Sequence, residues 1–288
     1  MLFKGDLRAF ARGGAQSRSD GVLFNRRPRR AEPVGVIDTH CHLQDRKFDG
    51  DRDEVVARAR NVDIGAMVTV GEDLEDSARA IATAEQYDLF VAAGIHPHEA
   101  RNAPRKIAEA LRALLANPRV LAVGETGLDY YYEHSPRDSQ ARVLRAQLQI
   151  AREAESPVVF HQRDAFDDFT AILREEWQPG MRGVVHCFTG TVLQARTLVD
   201  EFGLLLGIGG VVTFANAQPL REAVRAVGAG KIVLETDCPY LAPVPMRGKR
   251  NEPSFMTYTA AKVSEVLRLP LGEVIAHTDA NAVSFFGI

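Results

Sequence analysis

Six apolar runs of this chain stop at imidazoles or carboxylates. One ends in Asp38-Thr39-His40-Cys41-His42, another in Gly94-Ile95-His96-Pro97-His98, a third in Gly124-Glu125-Thr126-Gly127-Leu128-Asp129. His161, His186 and Glu235-Thr236-Asp237 end three more. Six of the eight histidines stand at such ends, where chance would scatter them over helices as well. His40 and His42 are two apart, so at strand spacing both point to the same side. Alone, that pair reads equally as a hydrogen-bonded packing pair and as two metal ligands. With Glu125, His161, His186 and Asp237 the set becomes four imidazoles and two carboxylates, which suits Zn²⁺ or Mn²⁺ and, through carboxylate and water, Mg²⁺. Six ligands exceed one tetrahedral site. They suit two ions sharing a carboxylate, the arrangement of hydrolases whose ions lie about 3.5–4 Å apart.

Such groups converge only if the elements bearing them are parallel. Short β-branched runs fall at 35–39, 66–70, 89–93, 120–124, 158–161, 183–186, 204–208 and 232–235. They are almost continuously apolar, as strands buried on both faces are. Stretches of helical period separate them at 51–61, 74–87, 104–115, 137–153, 164–176, 191–201 and 219–227, and two more follow at 255–269 and 271–286. Pro104 and Pro219 sit where a first helical turn tolerates proline. Eight βα units in about 250 residues predict an α/β TIM (β/α)8 barrel, whose C-terminal strand ends all open on one face. A doubly wound sheet also alternates and is the second architecture the pattern allows.

Two segments suggest phosphate binding. Gly207-Ile208-Gly209-Gly210 follows the seventh run, and Arg247-Gly248-Lys249-Arg250-Asn251-Glu252-Pro253 the eighth, where barrels often hold phosphate. Three cations around a glycine can pair with phosphodiester oxygens. Tyr130, Tyr131, Tyr132, Phe188 and Tyr240 lie near the same face, and Tyr130 is taken as a substrate contact by base stacking. Cys41, Cys187 and Cys238 each neighbour a proposed ligand. Alternation turns them toward the helix layer as small buried hydrophobes.

The chain has 288 residues, 45% hydrophobic and 25% charged, with a net charge of −3. A disordered chain and a basic nucleic-acid coat are thereby excluded. The longest apolar stretch, 203–214, falls short of the roughly 20 residues that a membrane span needs. Three cysteines build no disulfide framework, which predicts a reducing, cytoplasmic setting, and no interface pattern argues against a monomer. Residues 1–33 carry seven Arg, one Lys and three acids, and are expected to be a flexible basic extension. The barrel is expected over 34–288.

The stretches IDTHCHL, GIHPH, GETGLDYY, HCFTG, LGIGGVVTF, ETDCPYLAP and RGKRNEP together resemble the TatD-related metal-dependent hydrolases, mostly deoxyribonucleases. The likeness runs from about residue 36 to 286. It implies an amidohydrolase-type barrel, two divalent ions (Mg, Mn or Zn), and cleavage of DNA, as a 3′–5′ exonuclease on single strands, with RNA or tRNA as other possible partners. Carried over by motif, His40, His42, Glu125 and Asp237 would hold one ion, and Glu125, His161 and His186 the other. Asp237 would orient the attacking water and take its proton, with Glu125 as the bridge. His96 would contact substrate or assist the leaving oxygen. Arg247, Lys249 and Arg250 would offset phosphoryl charge, so losing Arg250 should raise KM. The departures are Cys238, where Ala or Ser is common, and the N-terminal extension.

Three rivals remain open at this point. Amidohydrolases that cut C–N or C–O bonds often bridge their metals through a modified lysine, but no lysine lies between Lys106 and Lys231. Hydrolysis of D-aminoacyl-tRNA esters would need the same metals and rim. A non-catalytic binding protein on a barrel scaffold would have little reason to keep all six ligands.

Overall fold

The computed structural model describes residues 35–288, so the basic segment 1–33 lies outside the described residues. Eight parallel strands pair in chain order: β1 (Val36–Cys41), β2 (Ile64–Val70), β3 (Phe90–Ala93), β4 (Val120–Asp129), β5 (Val158–Arg163), β6 (Gly183–Val185), β7 (Leu205–Ile208) and β8 (Ile232–Leu234). Helices follow the strands: α1 (Arg52–Asn61), α2 (Leu74–Tyr87), α3 (Ile107–Leu115), α4 (Arg137–Glu153), α5 (Phe166–Glu176), α6 (Val192–Arg196), α7 (Gln218–Val227), α8 (Met256–Leu267) and α9 (Leu271–Phe286). This is the TIM barrel read from the runs. The doubly wound alternative fails because the strand order never reverses.

Alternation along the strands explains the two cores. Val158 and Phe160 of β5 join the large cluster under the helices, while Val159 joins Ile37, Val68, Ala92, Val184 and Val233 in a separate cluster. That second cluster fills the barrel interior, and Phe285 and Phe286 of α9 pack onto it.

The seam between β8 and β1 is closed by the segment that carries Asp237. Its N–H donates to the His40 carbonyl at 2.8 Å, and the His42 N–H donates to the Cys238 carbonyl at 2.8 Å. The Thr236 hydroxyl donates to Asp38 Oδ2 at 2.6 Å, and the Thr39 hydroxyl to the Leu234 carbonyl at 2.9 Å. Asp38 is fully buried there, and burial pushes its carboxyl up to about 7.

The largest departure from the sequence expectation is β4, which runs on five residues past 124 to Asp129. It pairs with β5, which runs two residues past 161, Gly127 opposite His161 and Asp129 opposite Arg163. Gly127 permits this: at φ +152° a Cβ there would lie 1.8 Å from the His161 carbonyl oxygen. The β4–β5 register shifts between Val123 and Thr126, and the β1–β2 register between Asp38 and Cys41. Such bulges re-aim side chains, here Glu125 and His40. The expected helix over 191–201 is a short α6, capped by a Thr191–Gln194 capping box, followed by a π-helical turn Thr197–Glu201. No helix among the described residues is long and apolar enough to cross a membrane.

Candidate metal centre

At the C-terminal mouth of the barrel the six expected side chains meet. From β1 comes His40, its Nε2 3.2 Å from His42 Nε2 and 3.3 Å from Glu125 Oε2. Asp237 Oδ1 stands 3.4 Å from His42 Nε2 and 3.9 Å from His40 Nε2. The other oxygen of Glu125, Oε1, faces His186 Nε2 at 2.7 Å and His161 Nδ1 at 2.9 Å. His186 Nε2 and His161 Nδ1 are themselves 3.4 Å apart, and the His40 and His186 rings stack at 3.9 Å. Among the described residues, three overlapping groups in this cluster could each hold a cation: His40 with His42 and Glu125, His40 with His186 and Asp237, and His96 with Glu125 and His161.

The donors fit a metal. Ring nitrogens facing each other within 3.2 and 3.4 Å need a proton or a cation between their lone pairs. The outer nitrogens are already oriented: His42 Nδ1 lies 2.8 Å from the Val70 carbonyl, and His161 Nε2 2.9 Å from Asp129 Oδ2. Such partners turn the remaining nitrogen toward the metal. Glu125 and Asp237 have no lysine or arginine partner among the described residues, only imidazoles.

Protonation compensates the same charges. Burial opposes charge throughout the cluster and holds His40 and His96 down at about 4. Against that cost, the hydrogen bond to Asp237 lifts His42 to about 10, and the charge of Glu125 lifts His186 to about 9. The carboxyls move the opposite way. His186, His96 and His40 hold Glu125 well below the usual carboxylate range despite its burial, and the hydrogen bond from His42 lowers Asp237 against its own burial.

The cluster floors a cavity of about 690 Å³ lined by His42, His96, Glu125, His161, His186 and Asp237, among others. The sequence of residues 37–287 matches the family model described as TatD related DNase. The chain belongs to the TatD family. It is 38% identical over 254 residues to YabD of Bacillus subtilis, named as an uncharacterized metal-dependent hydrolase, covering 88% of this chain and 99% of that one. It is 36% identical over 259 residues to a Klebsiella pneumoniae protein named 3′-5′ ssDNA/RNA exonuclease TatD, covering 88% and 98%. The crystal structure of YjjV, a TatD homologue from Escherichia coli K12, superposes with a TM-score of 0.82 at 31% identity, covering 88% of this chain and 98% of that one. As a TatD-family protein the chain is a metal-dependent hydrolase acting on ester bonds.

The TatD barrel treats the remaining expected residues differently. His96 lines the cavity, its Nε2 3.5 Å from Glu125 Oε1. Arg250 is not in the cavity lining. Its guanidinium holds both Asp51 oxygens at 2.8 and 2.6 Å, donates to the Lys47 carbonyl at 2.6 Å and lies over Phe48. Arg247 lies over the ring of Phe214, which does line the cavity, while Lys249 is exposed on the same loop. Tyr130 lines a separate cavity, its ring under Arg137 and its hydroxyl on Asp168 at 2.8 Å. Cys41 and Cys238 are the buried hydrophobes expected. Cys187 is not: it is half-buried and lines the metal cavity, because a left-handed backbone (φ 45°) carries it out of alternation.

Several groups in the site were not singled out from the sequence. Asp129 Oδ2 faces both His161 Nε2 at 2.9 Å and His98 Nε2 at 3.1 Å, while Oδ1 accepts the Tyr131 and Tyr132 N–H groups. Its signal was period two: Glu125, Gly127 and Asp129 share one face once β4 is allowed its full length. Glu235, two residues before Asp237, is buried behind His186. Its Oε1 accepts the Cys187 N–H at 2.5 Å and lies 3.7 Å from His186 Nδ1. A Cβ at Gly207 would lie 2.2 Å from Glu235 Oε2, so this glycine makes room for an acid rather than for phosphate. Glu72, just past β2, also lines the cavity and carries no neighbouring histidine to announce it.

Proposed function

We propose that this protein removes nucleotides from the 3′ end of single-stranded DNA by hydrolysing phosphodiester bonds with two divalent ions. The observation that carries this reading is the division of Glu125, one oxygen toward His40 and the other toward His161 and His186. A carboxylate so divided suits a bridge between two cations. The relatives named as 3′-5′ ssDNA/RNA exonucleases support the substrate class.

His40, His42, Glu125 and Asp237 would hold one ion, and Glu125, His161 and His186 the second. Bound there, divalent ions supply Lewis acidity that lowers the pKa of water and offsets charge on phosphoryl oxygens. Asp237 accepts the proton of the attacking water, since its carboxyl is ionised at neutral pH and opens into the cavity. His96, held neutral at neutral pH by burial, contacts the phosphoryl group or the leaving oxygen. Asp129 holds His161 in one orientation, so it acts through that imidazole. A monomer would suffice as the working unit, since one chain supplies every proposed group.

The test is a product ladder. Chelator-stripped protein is given 5′-labelled single-stranded DNA, with and without added Mg²⁺, Mn²⁺ or Zn²⁺. A metal-restored ladder shortening from the 3′ end is the expected result. Internal cuts would keep the chemistry and overturn the exonuclease mode. No cleavage with any metal would overturn the phosphodiester reading, and D-aminoacyl-tRNA would be the next ester tried.

A further inference from the structure

The metal cavity does not end at the metal cluster. A second cavity of about 960 Å³ lies beside it, and the two share Gln162, Arg163 and Thr189 in their walls. Between them Arg163 is exposed, and its guanidinium lies 3.8 Å from the ring centroid of Tyr131 and 4.8 Å from that of Tyr132. Tyr131 is 56% exposed and Tyr132 51%, an unusual surplus of open aromatic surface at one rim. Arg137, whose guanidinium lies over the cavity-lining Tyr130, is by contrast committed to Glu133. Among the described residues, no carboxylate lies within ion-pair distance of Arg163.

We propose that this second cavity is the subsite for the nucleotide on the 5′ side of the one being removed, with Arg163 taking its phosphate and Tyr131 its base. The proposal rests on the exonuclease reading above. An aromatic face paired with a guanidinium is how single strands are held without regard to sequence. The acids in the second cavity, Asp164, Asp167 and Asp168, define the rest of the occupant. They repel a second phosphate and accept N–H groups from a base edge, so the strand crosses this cavity with one phosphate, at Arg163. Stacking on Tyr131 requires an unpaired base, so the subsite selects single strands over duplex.

The expected results concern Tyr131→Ala, Tyr131→Phe and Arg163→Ala in the full-length, metal-loaded protein. Two substrates are compared: single-stranded oligothymidylate and bis(p-nitrophenyl) phosphate, which has no second nucleotide. Tyr131→Ala should lower the ratio of their kcat/KM values roughly tenfold, mainly through the oligonucleotide KM, and Tyr131→Phe should restore it. Arg163→Ala should lower the same ratio and reduce the salt slope of oligonucleotide binding by about one. Binding is read separately, by fluorescence anisotropy of 5′-labelled phosphorothioate oligothymidylate. A wild-type enzyme that trims DNA while Tyr131→Ala keeps its ratio overturns the subsite and leaves the exonuclease reading standing. A wild-type protein that binds the labelled strand through Tyr131 but cuts no DNA keeps the subsite and overturns that reading. Equal binding by wild type and Tyr131→Ala, or no binding by either, overturns the subsite.

Discussion

The metal cluster and the 247–253 loop are both rich in charge, and both follow strands at the same end of the barrel, but they handle that charge in opposite ways. In the cluster, buried carboxylates meet only imidazoles, and ring nitrogens face one another at 3.2 and 3.4 Å. In the loop, Arg250, Asn251 and Glu252 find partners within the fold, while Arg247 lies over Phe214 and Lys249 is exposed. Arg250 holds Asp51, and Glu252 takes Arg58 at 2.7 Å. Asn251 is fully buried and donates to the carbonyls of Thr236 at 2.8 Å and Tyr240 at 2.7 Å. Charge left for an outside partner marks the site, whereas charge satisfied inside the fold fastens it. Asn251 therefore holds the segment carrying Asp237 in place, and Arg250 ties the loop to Asp51 and the Lys47 carbonyl.

The sharpest way to break this contrast is at Glu125. Glu125→Ala removes the carboxylate shared by both imidazole groups. Turnover should fall at least about 10³-fold, with ion stoichiometry by atomic emission falling below that of wild type. Full activity would end the distinction.

Metal addition comes next. An ion present at 100 times its dissociation constant stabilises the fold by about 2.7 kcal/mol. The metal-free protein should therefore melt several degrees lower. Its pH dependence has a definite sign. His42 and His186 are raised to about 10 and about 9, so their contribution is complete below the unfolded histidine value of about 6.5 and is lost as pH rises through 9 to 10. Glu125 and Asp237 are lowered, so theirs is present above the unfolded carboxylate range and lost in acid. Metal ligation needs neutral imidazoles, so ion affinity should climb with pH up to that same range and binding at neutral pH should release protons. Calorimetry in two buffers of different ionisation enthalpy checks the release.

The loop predicts smaller effects. Asn251→Ala leaves two carbonyls without their donor and should cost about 2 kcal/mol, or about 5 °C in Tm. Arg250→Ala loses a pair roughly one-third exposed and should cost less than about 1 kcal/mol, with KM little changed. A tenfold rise in KM with a flatter salt dependence would return Arg250 to the substrate rim, the role its position after the eighth strand first suggested.

Much of the site was legible because strand ends announce themselves. His40, His42, His161, His186 and Asp237 each stand where an apolar run stops, and eight such runs with helices between them leave little choice of architecture. Glu125 was legible as a carboxylate in the same place, but not as a mid-strand residue. Asp129 was hidden by the same error, because three glycine-spaced polar residues do not look like strand. The surroundings of Arg250 were hidden for another reason. Composition shows that a loop is basic but not that Asp51 and Asp45, far away in the chain, stand beside it; Tyr240 of the same region reaches Asp45 at 3.4 Å.

Local chemistry therefore settled the element order and the residue types at the strand ends, since periodicity and residue type are properties of short stretches. Which charges remain available for a metal or a substrate was decided only in three dimensions. Pairing depends on which distant residues share a few ångströms, and no short stretch of sequence contains that distance.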